Sequence, residues 1–168
     1  MIHVCSLARL HGTVADTGAR HIVTLLRILD RVQRPACVEE ANHLILSMDD
    51  IVEPMDGYTH PGEEHVASLI EFAQRWDRRA PMVIHCYAGI SRSTAGAFVT
   101  ACVLNPHRSE AKIAQAIRDG SATATPNLRI VTLADRMLGR QGRMIGAVQG
   151  IGPGRAAIEG DPFRLDLE

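Results

Sequence analysis

Short apolar runs alternate along this chain with longer stretches in which apolar residues recur at helical spacing. The runs have the length and the β-branched content of strands, and they predict strands at 2–7, 21–26, 43–48 and 82–84. The run at 82–84 is Met-Val-Ile. Because it has no polar face, it is expected to be a central strand covered on both sides.

The helical stretches lie mostly in the second half of the chain. Apolar residues on one face predict helices at 62–79, 93–104, 109–119 and 125–139. In the last of these, Thr125 is the predicted cap and Pro126 the first helical residue. Strands that alternate with helices predict an α/β fold, with a central, mostly parallel sheet of about four to five strands flanked by helices.

Other stretches show no such period. The segment with Gly12, Asp16 and Gly18 is predicted to be a connection, and residues 49–62 a long loop of the kind that is usually functional. Half of the 14 glycines lie at position 139 or later. We therefore predict one domain over 1–139 and a Gly-rich extension over 140–168 that is loosely packed and partly mobile.

Composition narrows the class of protein. The chain has 168 residues, a hydrophobic fraction of 46% and a net charge of -1, which are typical of one globular domain. It has no basic field to attract nucleic acid and no polybasic tract for a membrane surface. Its four scattered cysteines, with no signal peptide or long apolar run, predict a cytoplasmic protein. Because Lys112 is the sole lysine among 18 basic residues, a GC-rich, bacterial source is expected.

Candidate chemistry is concentrated between Val83 and Thr94. Cys86 follows a predicted buried strand, and Arg92 opens a helix six residues later. Such a strand–loop–helix turn points backbone N–H groups into a cup, and the helix N-terminus adds positive potential. Gly89 permits the sharp backbone turn. The cup suits a phosphate-like anion, and the planar guanidinium of Arg92 can bind two of its oxygens.

Cys86 is then placed as a nucleophile. Such surroundings lower a cysteine pKa from ~8.5 to ~3.5–7.5, and a thiolate beneath a bound phosphate can attack phosphorus in line. The competing interpretation is that Cys86 is an ordinary core cysteine. In that case the Gly, Ser and Arg residues around it would be there only by chance. His60 and His65 lack the spacing of metal ligands, so no metal site is expected.

The segment 85–93 is His-Cys-Tyr-Ala-Gly-Ile-Ser-Arg-Ser. It resembles the signature His-Cys-x-x-Gly-x-Ser-Arg-Ser of the cysteine-dependent protein tyrosine phosphatase superfamily, in its dual-specificity branch. The resemblance extends from about Ile22 to Leu138 and includes the pair Pro126-Asn127. It implies a phosphatase-like fold and a phosphocysteine mechanism that needs no metal or organic cofactor.

The resemblance also implies roles for individual residues. Cys86 would be the nucleophile, Ser93 would stabilise the leaving thiolate, His85 would hold the loop, and Asn127 would brace it from the side. The residues implied in phosphoryl binding are Tyr87, Ala88, Gly89, Ile90, Ser91 and Arg92.

The sequence determines the identity of the general acid less closely than that of the nucleophile. The family supplies it from an aspartate roughly thirty to forty residues before the cysteine, which protonates the leaving oxygen. Asp49, Asp50 and Asp56 stand in this window. If strand alternation continues past Met48, only one of the first two can face the cup. We favour Asp50, because Asp-Ile followed by a loop with Pro and Gly resembles the family's acid loop, and Asp56 is the alternative.

The expected substrate is a phosphorylated protein or peptide. The loop interior carries no basic side chain before Arg92, which disfavours a highly charged inositol phosphate. The expected function is therefore hydrolysis of phosphotyrosine, with phosphoserine and phosphothreonine as a further substrate class. A pseudophosphatase that binds phosphoproteins with little turnover is the main alternative. An arsenate reductase or a rhodanese-like sulfur carrier is a weaker one, since Ser93 after Arg92 favours a phosphatase.

Overall fold

A computed structural model describes residues 1–167 and shows an α/β fold built on one five-stranded sheet. The strands are β1 (Ile2–Ser6), β2 (His21–Leu26), β3 (His43–Ser47), β4 (Met82–Cys86) and β5 (Phe163–Leu165). The α-helices are α1 (Leu10–Thr17), α2 (Glu63–Arg75), α3 (Arg92–Leu104), α4 (Glu110–Gly120), α5 (Leu128–Met137) and α6 (Arg143–Ile151). Within residues 1–167, no helix has both the length and the apolar character to cross a membrane.

The strand order is β3-β2-β4-β1-β5, and every pairing is parallel except that of β1 with β5. The predicted α/β fold and mostly parallel sheet are therefore confirmed. All five residues of β4 are buried, as expected for its central place. Because the first four strands run in one direction, their carboxyl ends meet at one edge of the sheet, where ligands bind in such folds.

Alternate residues of each strand supply the two cores. On one face, Val4 and Ile84 belong to the larger core with side chains of α2 to α6. On the other face, Cys5 and Val83 pack with α1. Helix α3 is buried from Arg92 to Cys102. A Cβ on its Gly96 would lie 3.1 Å from Ile84, so this glycine lets the helix lie directly against β4.

Helices α1 and α2 differ from the sequence prediction. The segment with Gly12 forms helix α1, which Gly18 ends in the left-handed conformation with φ 69°. Burial of Leu10 and Val14 stabilises this helix despite its polar composition. Helix α2 ends at Arg75 and not at 79, because Trp76 is extended and its indole N–H donates to Ala80 O.

Helix α5 begins later than predicted. Thr125 does not cap it; the cap is Asn127, whose Oδ1 accepts from the N–H of Ile130 at 3.1 Å. Thr125 and Asn127 instead donate their backbone N–H groups to the loop that follows β4. Pro126 has no N–H to donate, so it fits between them.

The C-terminal extension is packed more closely than predicted. Met144, Ala147 and Val148 of α6 are buried in the larger core, and β5 pairs with β1 along the sheet edge. Gly142 and Gly152 are two of the glycines behind the prediction of loose packing. They lie at the two ends of α6, with φ values of 86° and 65°. The domain boundary at 139 and the mobility of the chain end remain predictions, and Glu168 lies outside the described residues.

Glu110 connects α4 to the extension. Its Oε1 accepts from Arg140 Nη1 at 3.0 Å and from Arg143 Nε at 3.2 Å, and its side chain is only 9% exposed. Burial acts to raise the pKa of Glu110, but hydrogen bonds from its backbone and from the two arginines hold that pKa below its usual value. The carboxylate is therefore charged at neutral pH, and it neutralises the buried Arg140.

Glu110→Ala should lower the free energy of unfolding by about 3–5 kcal/mol, because it leaves the Arg140 guanidinium buried without its anion. Urea denaturation at neutral pH measures this change. Glu71→Ala, on the exposed face of α2, is the control and should change stability by less than about 0.5 kcal/mol. A Glu110→Ala variant as stable as the control would show that this ion pair does not hold the extension.

Candidate active site

Cys86 lies at the carboxyl end of β4, at the base of the turn that leads into α3. The thiol is 1% exposed, and its Sγ lies 3.1 Å from Ser93 Oγ in a hydrogen bond. We call residues 87–91 the phosphate loop, after the ligand that its geometry suits.

Backbone carbonyls of the phosphate loop point outward, where other segments donate hydrogen bonds to them. The bonds run from Leu7 N to Tyr87 O (3.1 Å), Gly160 N to Ala88 O (2.9 Å), Thr125 N to Ile90 O (2.9 Å) and Asn127 N to Ser91 O (3.2 Å). In a planar trans peptide the C=O and the next N–H point in opposite directions. Each outer bond therefore turns the following N–H inward, and the loop becomes a cup of donors at the N-terminus of α3.

Gly89 is required at the centre of this loop. Its φ is 73°, in the left-handed region, and a Cβ there would lie 2.8 Å from the backbone of Cys5 and Ser6. Both the conformation and the close approach to the end of β1 exclude a side chain. The sequence prediction for Gly89 agrees with this geometry.

Arg92 is buried beside the cup with part of its hydrogen-bonding capacity unused. Its Nη1 donates to Met48 O at 2.9 Å, and the residue is 5% exposed. Its buried Nε has no partner within the described residues. A buried donor without an acceptor is costly, so this N–H points to an anionic ligand that the guanidinium would bind with the loop amides.

A buried polar chain runs across three strands to the residue before Cys86. His85 Nε2 lies 2.7 Å from Thr24 Oγ1, which lies 2.8 Å from His43 Nε2. Because one hydroxyl has one proton, at least one of the two imidazoles must donate its Nε2–H to Thr24 Oγ1. Burial lowers the pKa of His85 to about 4, so this side chain is neutral at physiological pH and holds the strand end rather than carrying protons.

The three candidate acids lie in different places. Asp50 lies beside the phosphate loop, and its Oδ1 accepts from Ser91 Oγ at 2.8 Å and from Asn127 Nδ2 at 2.9 Å. Asp49 points elsewhere, since its Oδ2 accepts from Thr59 N–H at 2.7 Å and closes the base of the 49–62 loop. Asp56 is exposed on that loop. Of the three, Asp50 is therefore the one with a hydrogen bond to the phosphate loop.

The cleft that Asp50 and Arg92 line includes residues that sequence reasoning missed. A cavity of about 370 Å³ is lined by Arg27, Asp30, Asp50, Tyr87 and Arg92. Arg27 and Asp30 form an ion pair at 3.4 Å in the loop after β2. Their position directly after a parallel strand is the signal that could have indicated them. Thr24 and His43 gave a weaker signal, as polar residues within apolar strands.

The remaining cysteines and histidines have other surroundings. Burial raises the pKa of Cys5 to about 11 and of Cys102 to about 12, which makes both poor nucleophiles. His60 Nε2 contacts Val52 O, and His65 Nδ1 accepts from Gly62 N–H at the start of α2. No three His, Cys, Asp or Glu side chains within residues 1–167 are grouped as a metal site requires.

Solved phosphatase structures share this fold. The chain matches human DUSP28 with a TM-score of 0.62 and 17% identity over 83% of this chain and 89% of that one. It matches DUSP15 with a TM-score of 0.63 and 16% identity over 88% and 90%. It matches PTPMT1 in complex with PI(5)P with a TM-score of 0.61 and 15% identity over 84% and 94%.

No family model and no curated protein matches the chain. At these identities the likeness is one of fold, and it confirms the predicted phosphatase-like architecture. The expected bacterial source and the roles of individual site residues stay predictions.

Neutral His85 makes stability depend on pH. Between pH 6.5 and about 4 the unfolded chain binds a proton at this residue that the folded chain does not. Acidification through this window should therefore lower the free energy of unfolding, by about 3 kcal/mol in full. Urea denaturation across the window should show a shallower slope for His85→Gln than for the wild type.

Part of the slope should survive in His85→Gln, because burial also lowers the pKa of His3, His21 and His43. The exposed His107→Gln variant is the control and should follow the wild-type profile. Equal slopes for wild type and His85→Gln would contradict a buried neutral imidazole beneath the cup.

Proposed function

We propose that this chain is a phosphoprotein phosphatase that hydrolyses phosphotyrosine through a phosphocysteine intermediate. The observation that carries the proposal is the unpartnered Nε of buried Arg92, beside a loop whose outer carbonyls are already bonded and next to Cys86. The fold shared with solved phosphatases supports it.

In the first step, the loop N–H groups and Arg92 bind the phosphoryl oxygens, and the Cys86 thiolate attacks phosphorus. The phosphorus–oxygen bond to the tyrosine breaks as the phosphorus–sulfur bond forms. Asp50 gives its proton to the departing phenolate oxygen. Because Oδ1 of Asp50 already accepts two hydrogen bonds, the proton is carried on Oδ2.

In the second step, water attacks the phosphocysteine while the Asp50 carboxylate takes a proton from it. The phosphorus–sulfur bond breaks, and inorganic phosphate leaves. Ser93 Oγ, 3.1 Å from Cys86 Sγ, donates to the thiolate as it is released. Every proton and electron pair is accounted for by substrate, water and these side chains.

The walls of the cleft favour an aromatic phosphoester on a protein. Tyr87 lines this cleft and is 62% exposed, so its ring can pack against that of a phosphotyrosine. Arg27 adds a second cation to the cleft but is paired with Asp30. That pairing leaves little unpaired positive charge for an inositol phosphate bearing several anionic groups.

A phosphoprotein-binding pseudophosphatase is the second candidate. It is favoured by one observation: Ser91 and Asn127 both donate to Asp50, so this carboxylate can serve as a brace of the phosphate loop. A chain in which Asp50 only braces would bind phosphotyrosine and release it unchanged. Turnover of phosphotyrosine by the wild-type chain, inhibited by vanadate, decides between the two functions, because its leaving group departs poorly unless it is protonated.

Cys86→Ser should abolish this turnover, by more than about a thousandfold, while inorganic phosphate still binds, because the cup remains and the nucleophile is lost. Isothermal titration with phosphate measures the retained binding. The matched control is Cys102→Ser, which removes a thiol far from the cup. Near-normal turnover by Cys86→Ser would overturn the proposal.

Asp50→Asn should lose the alkaline limb of the bell-shaped pH profile and slow hydrolysis of phosphotyrosine by roughly a hundredfold. The loss should be much smaller for an aryl phosphate whose leaving group departs without a proton. Asp49→Asn keeps a carboxylate-sized side chain near Thr59 and should retain the bell. If Asp56→Asn shows the Asp50 pattern instead, the general acid is Asp56.

A further inference from the structure

The C-terminal extension crosses the outside of the phosphate loop. We call residues 154–161, between α6 and β5, the C-terminal strap. At its start, Gly154 N donates to Thr125 Oγ1 at 3.1 Å and Arg155 N to Ala122 O at 2.8 Å. At its end, Ser6 Oγ donates to Glu159 Oε1, and Gly160 N donates to Ala88 O at 2.9 Å.

Gly160 is in backbone contact with the loop. It is buried, and a Cβ there would lie 3.0 Å from Gly89 O and 3.1 Å from Thr123 Oγ1. Its φ lies outside the left-handed region, so the backbone conformation itself would accept an alanine. An added Cβ would therefore disturb the close approach to the loop and not the backbone conformation.

The strap is held by polar bonds rather than by apolar burial. Ile158 is 98% exposed, and residues 155–159 are all exposed. Glu159 is fixed by the Ser6 hydroxyl and has Arg9 Nε at 3.8 Å. Ser6 is the register partner of Cys86 in the sheet, so the strap is fastened next to the strand end that carries the nucleophile.

We propose that Gly160 is a positioning residue of the phosphate loop, whose N–H holds the Ala88 carbonyl outward and so aims the Gly89 N–H at the phosphoryl group. The proposal rests on the proposed function. A peptide that precedes a glycine with positive φ can flip, because glycine also accepts the negative φ of the flipped turn. Without Gly160, the Ala88 carbonyl can turn into the cup, where its oxygen repels the phosphate.

Three of the outer bonds come from the turn before α1 and the segment before α5, and the bond to Ala88 comes from the strap. The strap therefore orients the peptide between Ala88 and Gly89, which the glycine at position 89 leaves free to rotate. Loss of this bond should weaken oxyanion binding and turnover of small substrates alike, since the displaced amide binds the phosphoryl group itself.

The test is Gly160→Ala in the full chain, with vanadate as the probe. The added Cβ should push the strap off Ala88, raise the dissociation constant of vanadate at least about tenfold and raise KM for para-nitrophenyl phosphate in parallel. A role in stability alone would shift the melting temperature and leave both of these readouts unchanged.

Gly150→Ala is the matched control, since a Cβ at this position of α6 meets no atom within 4 Å. Glu159→Ala releases the strap from Ser6 without a clash, so it keeps the proposal testable if Gly160→Ala does not fold. It should weaken vanadate binding in the same direction as Gly160→Ala, by a smaller factor.

The failures of the two proposals are distinguishable. If wild type binds vanadate and both strap variants bind it equally well, the positioning role of Gly160 is overturned and the proposed function stands. If the wild-type chain neither binds vanadate nor hydrolyses para-nitrophenyl phosphate, the proposed function is overturned and the strap proposal with it.

Discussion

The outward hydrogen bonds of the phosphate loop are the constraint on which the rest of the site depends. A five-residue turn has no internal ladder to fix its peptide planes, so donors outside it must hold them. Those donors come from the turn after β1, the segment before α5 and the C-terminal strap. The sheet order makes this possible, because β4 lies at the centre and β1 runs parallel beside it. The cup is thus a property of the whole fold.

Burial affects the charges of this site as much as neighbouring groups do. Arg92 carries a permanent charge at 5% exposure, and its buried Nε–H has no acceptor within residues 1–167. Burial lowers the pKa of neighbouring His85, so the imidazole adds no second cation beneath the cup. The thiol of Cys5 is one strand away but faces the opposite core, where burial raises its pKa. Cys86 and Arg92 therefore stand at the two ends of one turn, and the imidazole of His85 next to it is uncharged.

The sequence was informative where chemistry is local. The spacing of Cys86, Gly89 and Arg92 is set by one turn, so it predicted the cup, and the apolar run at 82–84 predicted the central strand. It was uninformative where a residue's partner is distant. Asn127 caps α5 in place of Thr125, whose Oγ1 instead donates to Thr123 O and accepts from Gly154 N. Thr24 joins His43 to His85 only once three strands pair.

The glycines of the extension also make contacts that composition does not indicate. Isolated glycines predict flexibility, since they lose the most backbone entropy on folding. Here Gly154 and Gly160 are sites of close backbone approach, where a Cβ would lie 2.5 Å from Thr123 O and 3.0 Å from Gly89 O. Such a contact joins residues far apart in sequence, as the bond between Ser6 and Glu159 does across 153 positions. Contacts of this separation form after local structure in folding, because a long loop must close first. The phosphate loop should then reach its final geometry only when both ends of the chain have docked.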